Sequence, residues 1–404
     1  MRPKLLAISI AALVAGSAVS IASALPELGT LTGEAAPTQW IVGFYEMPDI
    51  KEGDLYMGER VVSATPQGNF ITIETFNFGL FQAKANLDEN VQWIETDVSD
   101  HQLFFSPNDF YVNHASNYAM NKIGLPSAWD STLGSTSIKD GHIDSGIVAT
   151  HEDLSGSRFL QGYDFRNSDS TPEDTKYCSW HGSHTTGTIA ATINNAKGFP
   201  GTAQITVLPT KIFHGVNGGP YGCAAASVTN IANAILYVGN NGAHISSNSW
   251  GGGSFSTAIN NAITTARGQG VIFVAAAGNS GCSNCIGQPW LPQEANVIIV
   301  TATDVNDAAY TQNSKGPQTD VSAPGVSIGS AGGPGNSYYI LTGTSMATPY
   351  VAGTSALVKT LHPTWTELQV ESCLKSTALD LGAAGEDDTF GAGRIRANLA
   401  IGCV

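Results

Sequence analysis

The chain opens on an unbroken apolar run. Residues 5–25 are almost all apolar or small, behind a basic start at Arg2 and Lys4 and ending in Ala22-Ser23-Ala24. Basic start, apolar run and A-x-A end predict a secretory signal peptide over residues 1–24. A membrane anchor is the alternative, because the run approaches the ~20 residues that span a bilayer. The small residues of its second half and the end motif favour cleavage. Residues 25–36 are small and loop-like. Beyond them, short runs at 39–45, 69–75, 79–85 and 91–95 predict strands in one small compact region. Residues 97–108 predict an exposed connection.

From Asn121 the pattern changes. Strand-like runs at 137–143, 205–212, 244–249, 271–276 and 297–301 alternate with helical stretches near 182–192, 227–238 and 256–269. Such alternation predicts an α/β fold, a parallel sheet with helices on both faces. In sheets of this kind the reactive groups gather at the carboxyl ends of the strands.

Composition narrows the function. The chain has 404 residues, of which 42% are hydrophobic and 13% charged. That is too apolar for a disordered chain and long enough for a large core. Lys and Arg number 18 against 33 Asp and Glu, and no basic stripe exists, which argues against a nucleic-acid partner. The six cysteines are Cys178, Cys223, Cys282, Cys285, Cys373 and Cys403. In an exported chain they suggest disulfides, although six cysteines allow about 15 connectivities. Cys282-Ser283-Asn284-Cys285 has no second ligand pair at zinc spacing and predicts a small disulfide loop.

Three motifs carry candidate chemistry. Asp144-Ser145-Gly146 follows a predicted strand, His181-Gly182-Ser183-His184 opens a helix, and Gly343-Thr344-Ser345-Met346-Ala347-Thr348-Pro349 opens another. Each alone has a plain reading: a turn Asp, a capping His, a Ser cap with proline in the first turn. Together they supply what an alcohol nucleophile needs. Serine reacts at neutral pH only beside a base, and that base needs an orienting carboxylate. Ala276-Ala277-Gly278-Asn279 ends a buried strand, and the Asn279 amide with the Ser345 N–H could hold an oxyanion.

On these motifs, and in the order Asp, His, Ser, the chain from about Trp40 onward resembles a secreted subtilisin-like serine protease, a subtilase. The resemblance implies a subtilisin-like parallel sheet preceded by a small α+β propeptide domain. It implies a signal peptide over 1–24, a propeptide over 25–103 and a catalytic domain over 104–404. Asp144 would orient, His181 act as base then acid, Ser345 attack and Asn279 hold the oxyanion, with His184 structural. Ser249-Trp250-Gly251 resembles the strand that pairs with substrate backbone, and Ala276-Ala277-Gly278 the opposite wall of the specificity pocket. Protein and peptide substrates are implied, with the chain's own propeptide as an inhibitor and a mature start between His101 and Ser106. Once the signal is cleaved, a secreted protein with no membrane attachment is expected.

The resemblance also pairs Cys178 with Cys223, which leaves Cys282 with Cys285 and Cys373 with Cys403. It implies a structural Ca²⁺ site at Asp109, Asp153 and the loop carrying Ile193, Asn195, Lys197 and Phe199. Carboxylates, an amide oxygen and loop carbonyls suit that ion; Lys197 would give its carbonyl with its ammonium turned away. The uncharged wall segments and the candidate pocket floor Gly287-Gln288-Pro289-Trp290 predict preference for a large apolar or aromatic residue before the cleaved bond. Two other readings stand beside this one. A catalytically idle binding or inhibitory protein on the same fold conflicts with the presence of every catalytic group. An α/β-hydrolase esterase needs an Asp and then a His after its Ser, and only His362 follows Ser345 among the histidines.

Overall fold

The computed structural model describes residues 38–96, 105–215, 223–287 and 297–404. The chain divides between residues 103 and 104 into two compact units. The signal segment, the loop-like stretch after it and residues 97–104 lie outside the described residues, as does the greater part of the expected mature start. Among the described residues no helix is long and apolar enough to cross a membrane.

The first unit is a five-stranded antiparallel sheet with one helix. Its elements are β1 (Thr38–Phe44), β2 (Leu55–Tyr56), β3 (Glu59–Thr65), β4 (Phe70–Thr75), α1 (Phe78–Ala85) and β5 (Val91–Thr96), in the sheet order β2-β3-β4-β1-β5. The strand expected at 79–85 is the helix α1. The Asn77 side chain accepts from Leu80 N at 3.1 Å and caps the first turn. Phe81 and Ala85, one turn apart, then bury against Val42, Ile71 and Ile73. Strand β3 went unread because a bulge between Val61 and Ser63 breaks the alternation that marks a strand.

The second unit begins with two short helices, α2 (Tyr118–Lys122) and α3 (Leu125–Ser131). There follow β6 (Lys139–Asp144), β7 (Tyr163–Asp164), α4 (His181–Ala190), β8 (Thr206–Lys211), β9 (His214–Gly215), β10 (Cys223–Ala224) and α5 (Val228–Asn240). Next come β11 (Ile245–Asn248), α6 (Thr257–Gly268), β12 (Ile272–Ala276), β13 (Ile298–Thr303), β14 (Val321–Pro324), β15 (Ile328–Ala331) and β16 (Tyr338–Leu341). The helices α7 (Thr344–Leu361), α8 (Glu367–Thr377) and α9 (Ala397–Ala400) end the chain.

Seven strands form one parallel sheet in the order β14-β13-β12-β11-β6-β8-β7. Each face has its own core. On one, α4 and α7 pack on Ile245, Ile272, Val274, Ile298 and Val300. On the other, α5 and α6 cover Ile143, Leu208, Phe273, Ala275 and Ile299. Alternate residues of one strand point to opposite faces, so strands buried on both sides read as continuous apolar runs. Every residue of β12 is buried for this reason. Disulfides join Cys178 to Cys223, Cys282 to Cys285 and Cys373 to Cys403.

Candidate active site

Three element ends converge at the carboxyl edge of the sheet. Asp144 is the last residue of β6, His181 the first of α4, and Ser345 lies in the first turn of α7. All three line one cleft of about 720 Å³. His181 Nδ1 lies 2.8 Å from Asp144 Oδ1, which also accepts from Ser145 N at 2.7 Å. Two glycines permit this approach. Gly146 has φ +109, and a Cβ on it would lie 2.4 Å from the Pro172 carbonyl oxygen. A Cβ on Gly182 would lie 2.3 Å from the Gly146 carbonyl oxygen. Helix α4 therefore starts against the turn that follows β6.

The electrostatics follow from that contact. Burial pushes the Asp144 carboxyl up, but the His181 charge and hydrogen bond outweigh it and hold the group below its ordinary range. Burial pushes His181 down, and Asp144 with the nearby Asp174 outweighs it, so the ring titrates above its ordinary value. The His181 side chain remains 28% exposed, so its far edge is open to the cleft. Burial drives His184 down to about 3, leaving a neutral ring whose Nε2 donates to Ile328 O at 3.0 Å, a structural part.

Asp174 carries no sequence motif and was not anticipated. Its oxygens accept from Ser145 Oγ (2.9 Å), Thr175 N (2.8 Å), Ser183 N (2.9 Å) and Ser183 Oγ (2.8 Å). Ser145 Oγ in turn accepts from Gly182 N at 2.8 Å. This buried carboxylate thus clamps the residue after Asp144 to the residues after His181. Burial, with the charge of Asp144, lifts its own titration to about 6.

The Ser345 hydroxyl donates to Ser249 O at 3.0 Å, and the Ser249 hydroxyl donates back to Ser345 O at 2.9 Å. The second bond explains Pro349. This proline lies in the second turn of α7, not the first, and lacks the N–H that would bond the carbonyl four residues back. That carbonyl belongs to Ser345, and Ser249 takes the place of the missing donor. Asn279 Oδ1 accepts from Thr344 N at 2.9 Å and Thr344 Oγ1 at 3.1 Å, which commits its oxygen to α7 and leaves Nδ2 as the donating end. The Ser345 N–H belongs to the helix start, where backbone donors have no partner within the helix.

Ser249, Trp250 and Gly251 line the cleft just past the last paired residue of β11, together with Phe213, Tyr310, Leu341 and the Cys178–Cys223 disulfide. Among the described lining residues the ionisable side chains are Asp144, His181 and Tyr310, and none is a lysine, an arginine or a glutamate. Ala276 and Ala277 are buried, and Ala277 contributes through its backbone. Gly287 N donates to Ala277 O at 2.8 Å and Gly252 N to Gly287 O at 2.5 Å, so the two predicted walls meet through Gly287. Gln288, Pro289 and Trp290 of the expected floor lie outside the described residues.

The residues assigned to calcium lie together at the loop that follows α4, at the opposite end of the helix from His181. Asp109 is buried, with Oδ2 accepting from Asn194 N at 2.8 Å and Oδ1 without a hydrogen-bond partner. Burial lifts its carboxyl to about 6. Asp153, fully buried and also pushed up by burial, accepts from Tyr338 OH at 2.8 Å and from the Asn195 amide nitrogen at 2.7 Å. Asn195 would therefore have to turn its amide over to offer oxygen. The Lys197 ammonium points out to Glu152 at 3.1 Å. Ile193 and Phe199 bury their side chains, and Phe199 stacks on Tyr111. Two buried carboxylates with an orphaned oxygen fit a hard cation.

Comparison with known proteins gives the family. Residues 137–393 match the family model described as the Subtilase family. The chain is 31% identical over 404 residues to an alkaline protease of Shouchella clausii, covering 96% of this chain and 98% of that one. It is 36% identical over 286 residues to Subtilisin Savinase of Lederbergia lenta, covering 70% and 97%. Among solved structures, a protease from Pseudoalteromonas arctica superposes with a TM-score of 0.64 at 29% identity, over 74% of this chain and 99% of that one.

Proposed function

Since the chain belongs to the subtilase family and is a subtilisin-like serine endopeptidase, we propose that it cleaves peptide bonds through an acyl-enzyme on Ser345. The observation that carries this reading is the 2.8 Å pair of His181 Nδ1 and Asp144 Oδ1 in the cleft that also holds Ser345 and Asn279. Asp144, kept ionised, holds the proton on Nδ1 and leaves Nε2 as the base. The Ser345 hydroxyl leaves Ser249 O, turns to Nε2, gives up its proton and attacks the scissile carbonyl. The oxyanion receives the Ser345 N–H and Asn279 Nδ2. His181 then passes the proton to the leaving amine, and water repeats the sequence to free the enzyme.

The wider reading rests on the same residues. Apolar cleft walls at Phe213, Trp250 and Leu341 favour a large apolar or aromatic residue before the cleaved bond. The apolar start directs export, and residues 25–103 act as a propeptide that inhibits the enzyme until it cuts itself free. Asp109 and Asp153 would hold a structural Ca²⁺ with the carbonyls of Ile193, Lys197 and Phe199 and with Asn195. When bound, that ion supplies positive charge to two buried carboxylates and takes no part in the reaction.

The test is Ser345→Ala, made as the full chain without a helper protease. It removes the nucleophile and little volume. The expected product, read by mass spectrometry, is a folded chain that still carries residues 25–103, without peptidase activity above the ~10³–10⁴-fold over water left by oxyanion hole and binding. A normally processed Ser345→Ala chain would overturn the reading.

A further inference from the structure

Strand β6 departs from the sheet around it. Its neighbours β8 and β11 carry threonine, serine and asparagine but Lys211 as their one charged residue, whereas β6 carries Asp140, His142 and Asp144 at alternate positions, so the three share one face. The opposite face is ordinary: Ile143 enters the core under α5 and α6, and a Cβ on Gly141 would meet Val238. Asp140 is 0% exposed and His142 1%. Ionisable groups buried this deeply are destabilising unless they are well partnered.

Their partners lead to the catalytic pair. Asp140 Oδ1 accepts from Ser247 N at 3.1 Å, and Asp140 Oδ2 lies 3.3 Å from His142 Nδ1. His142 Nε2 lies 2.9 Å from Thr185 Oγ1. Thr185 Oγ1 lies 3.4 Å from Asp144 Oδ2, 3.0 Å from His181 O and 3.1 Å from Gly182 O. We propose that Asp140, His142 and Thr185 form a second histidine–carboxylate chain behind the first, and that it positions Asp144 and the opening turn of α4. This rests on Asp144 and His181 acting as assigned above.

The donors and acceptors allow few arrangements. A carboxylate at Asp140 only accepts, so His142 Nδ1 carries a proton. With a neutral ring, Nε2 accepts and the Thr185 hydroxyl donates to it. With a charged ring, Nε2 donates to Thr185, and the hydroxyl proton is free for Asp144 Oδ2 or the His181 carbonyl. In either state Thr185 Oγ1 is held at one point, one turn beyond His181. Asp140 and Asp144 from β6 itself and, through Thr185, His181 from α4 are the ionisable groups on this chain of contacts; β8 sets Pro209 beside His142. None of the three new residues touches the cleft as a lining residue, so each is a positioning residue and not a catalytic one.

The test is a double-mutant cycle on the full chain, with active-site titration of the mature enzyme and a melting curve for each variant. Thr185→Val keeps shape and removes the hydroxyl, Thr185→Ser restores it, and His142→Val removes the ring. Thr185→Val and His142→Val should each lower kcat by roughly ten- to a hundredfold, with KM within about twofold, because displaced catalytic groups cost rate rather than binding. Thr185→Ser should recover most of the rate. The double variant should be no slower than either single one, since the residues act as a unit. Unchanged kcat in Thr185→Val, or two losses that multiply, would overturn the proposal. If His142→Val does not fold, the Thr185 pair decides alone. Ser345→Ala is assayed beside them: activity there sinks the triad assignment, whereas an inactive Ser345→Ala with a fully active Thr185→Val sinks only the second chain.

Discussion

Asn279 is an exposed residue on a loop, yet its amide is oriented as firmly as a buried one because Thr344 takes its oxygen twice. Asn279→Ala should therefore lower kcat by roughly 10²–10³-fold with little change in KM, a magnitude carried over from a subtilisin. Steady-state kinetics on one peptide substrate checks it. Asp174 gives a prediction with a sign. Its negative charge favours the charged form of His181, whereas the base must be neutral to act. Asp174→Asn removes that charge, so the His181 pKa should fall and the acid limb of kcat/KM should move to lower pH. Below pH about 6 Asp174 is itself protonated, so there the two proteins should converge. A pH–rate profile that moves upward, or not at all, would count against this role. Asp144, His181, Ser345 and Asn279 were legible as residues because each sits in a dense motif. Asp174, Thr185 and His142 were not, because their meaning lies in partners far away in the chain.

At the scale of elements, the approach of α4 to the turn after β6 sets the site. Gly182→Ala would press a methyl group onto Gly146 backbone and strain the Gly182 N–Ser145 Oγ bond. Helix α4 would have to move away, carrying His181 with it. A shift of about 1 Å can cost ~10² in rate, so kcat should fall at least that far. Thermal melting should fall as well, since overpacking costs ~1–3 kcal/mol. Kinetics and melting on the same preparation check both. The five inner strands of the second unit's sheet and the helices α4, α5 and α6 were readable from periodicity, because buried parallel strands and amphipathic helices differ in period; the edge strands β7 and β14 were not. In the first unit, α1 reads equally well as a strand over seven residues, and only its Asn77 cap and the core under Phe81 decide. Pro349 looked like a first-turn proline; the bond from Ser249 shows how a proline one turn deeper is accommodated.

At the scale of the whole molecule, the proposed Ca²⁺ would tie the start of the second unit, at Asp109, to the loop after α4. If it binds only the folded chain, a hundredfold excess over its Kd adds ~2.7 kcal/mol of stability. A strong chelator should then lower the Tm by several degrees and speed autolysis, whereas an unchanged melting curve would remove the ion from the account. The sequence by itself determined the fold class, the family and the order of its parts. Strand and helix periods are local, and the catalytic motifs pack nucleophile, glycine and proline into a few consecutive residues. Only the tertiary structure decided how those parts are held. Asp174 reaches Ser145 across 29 residues of chain, and His142 reaches Thr185 across 43. A hydrogen bond between distant segments leaves no period and no motif, since it depends on where the folded backbone brings two side chains together.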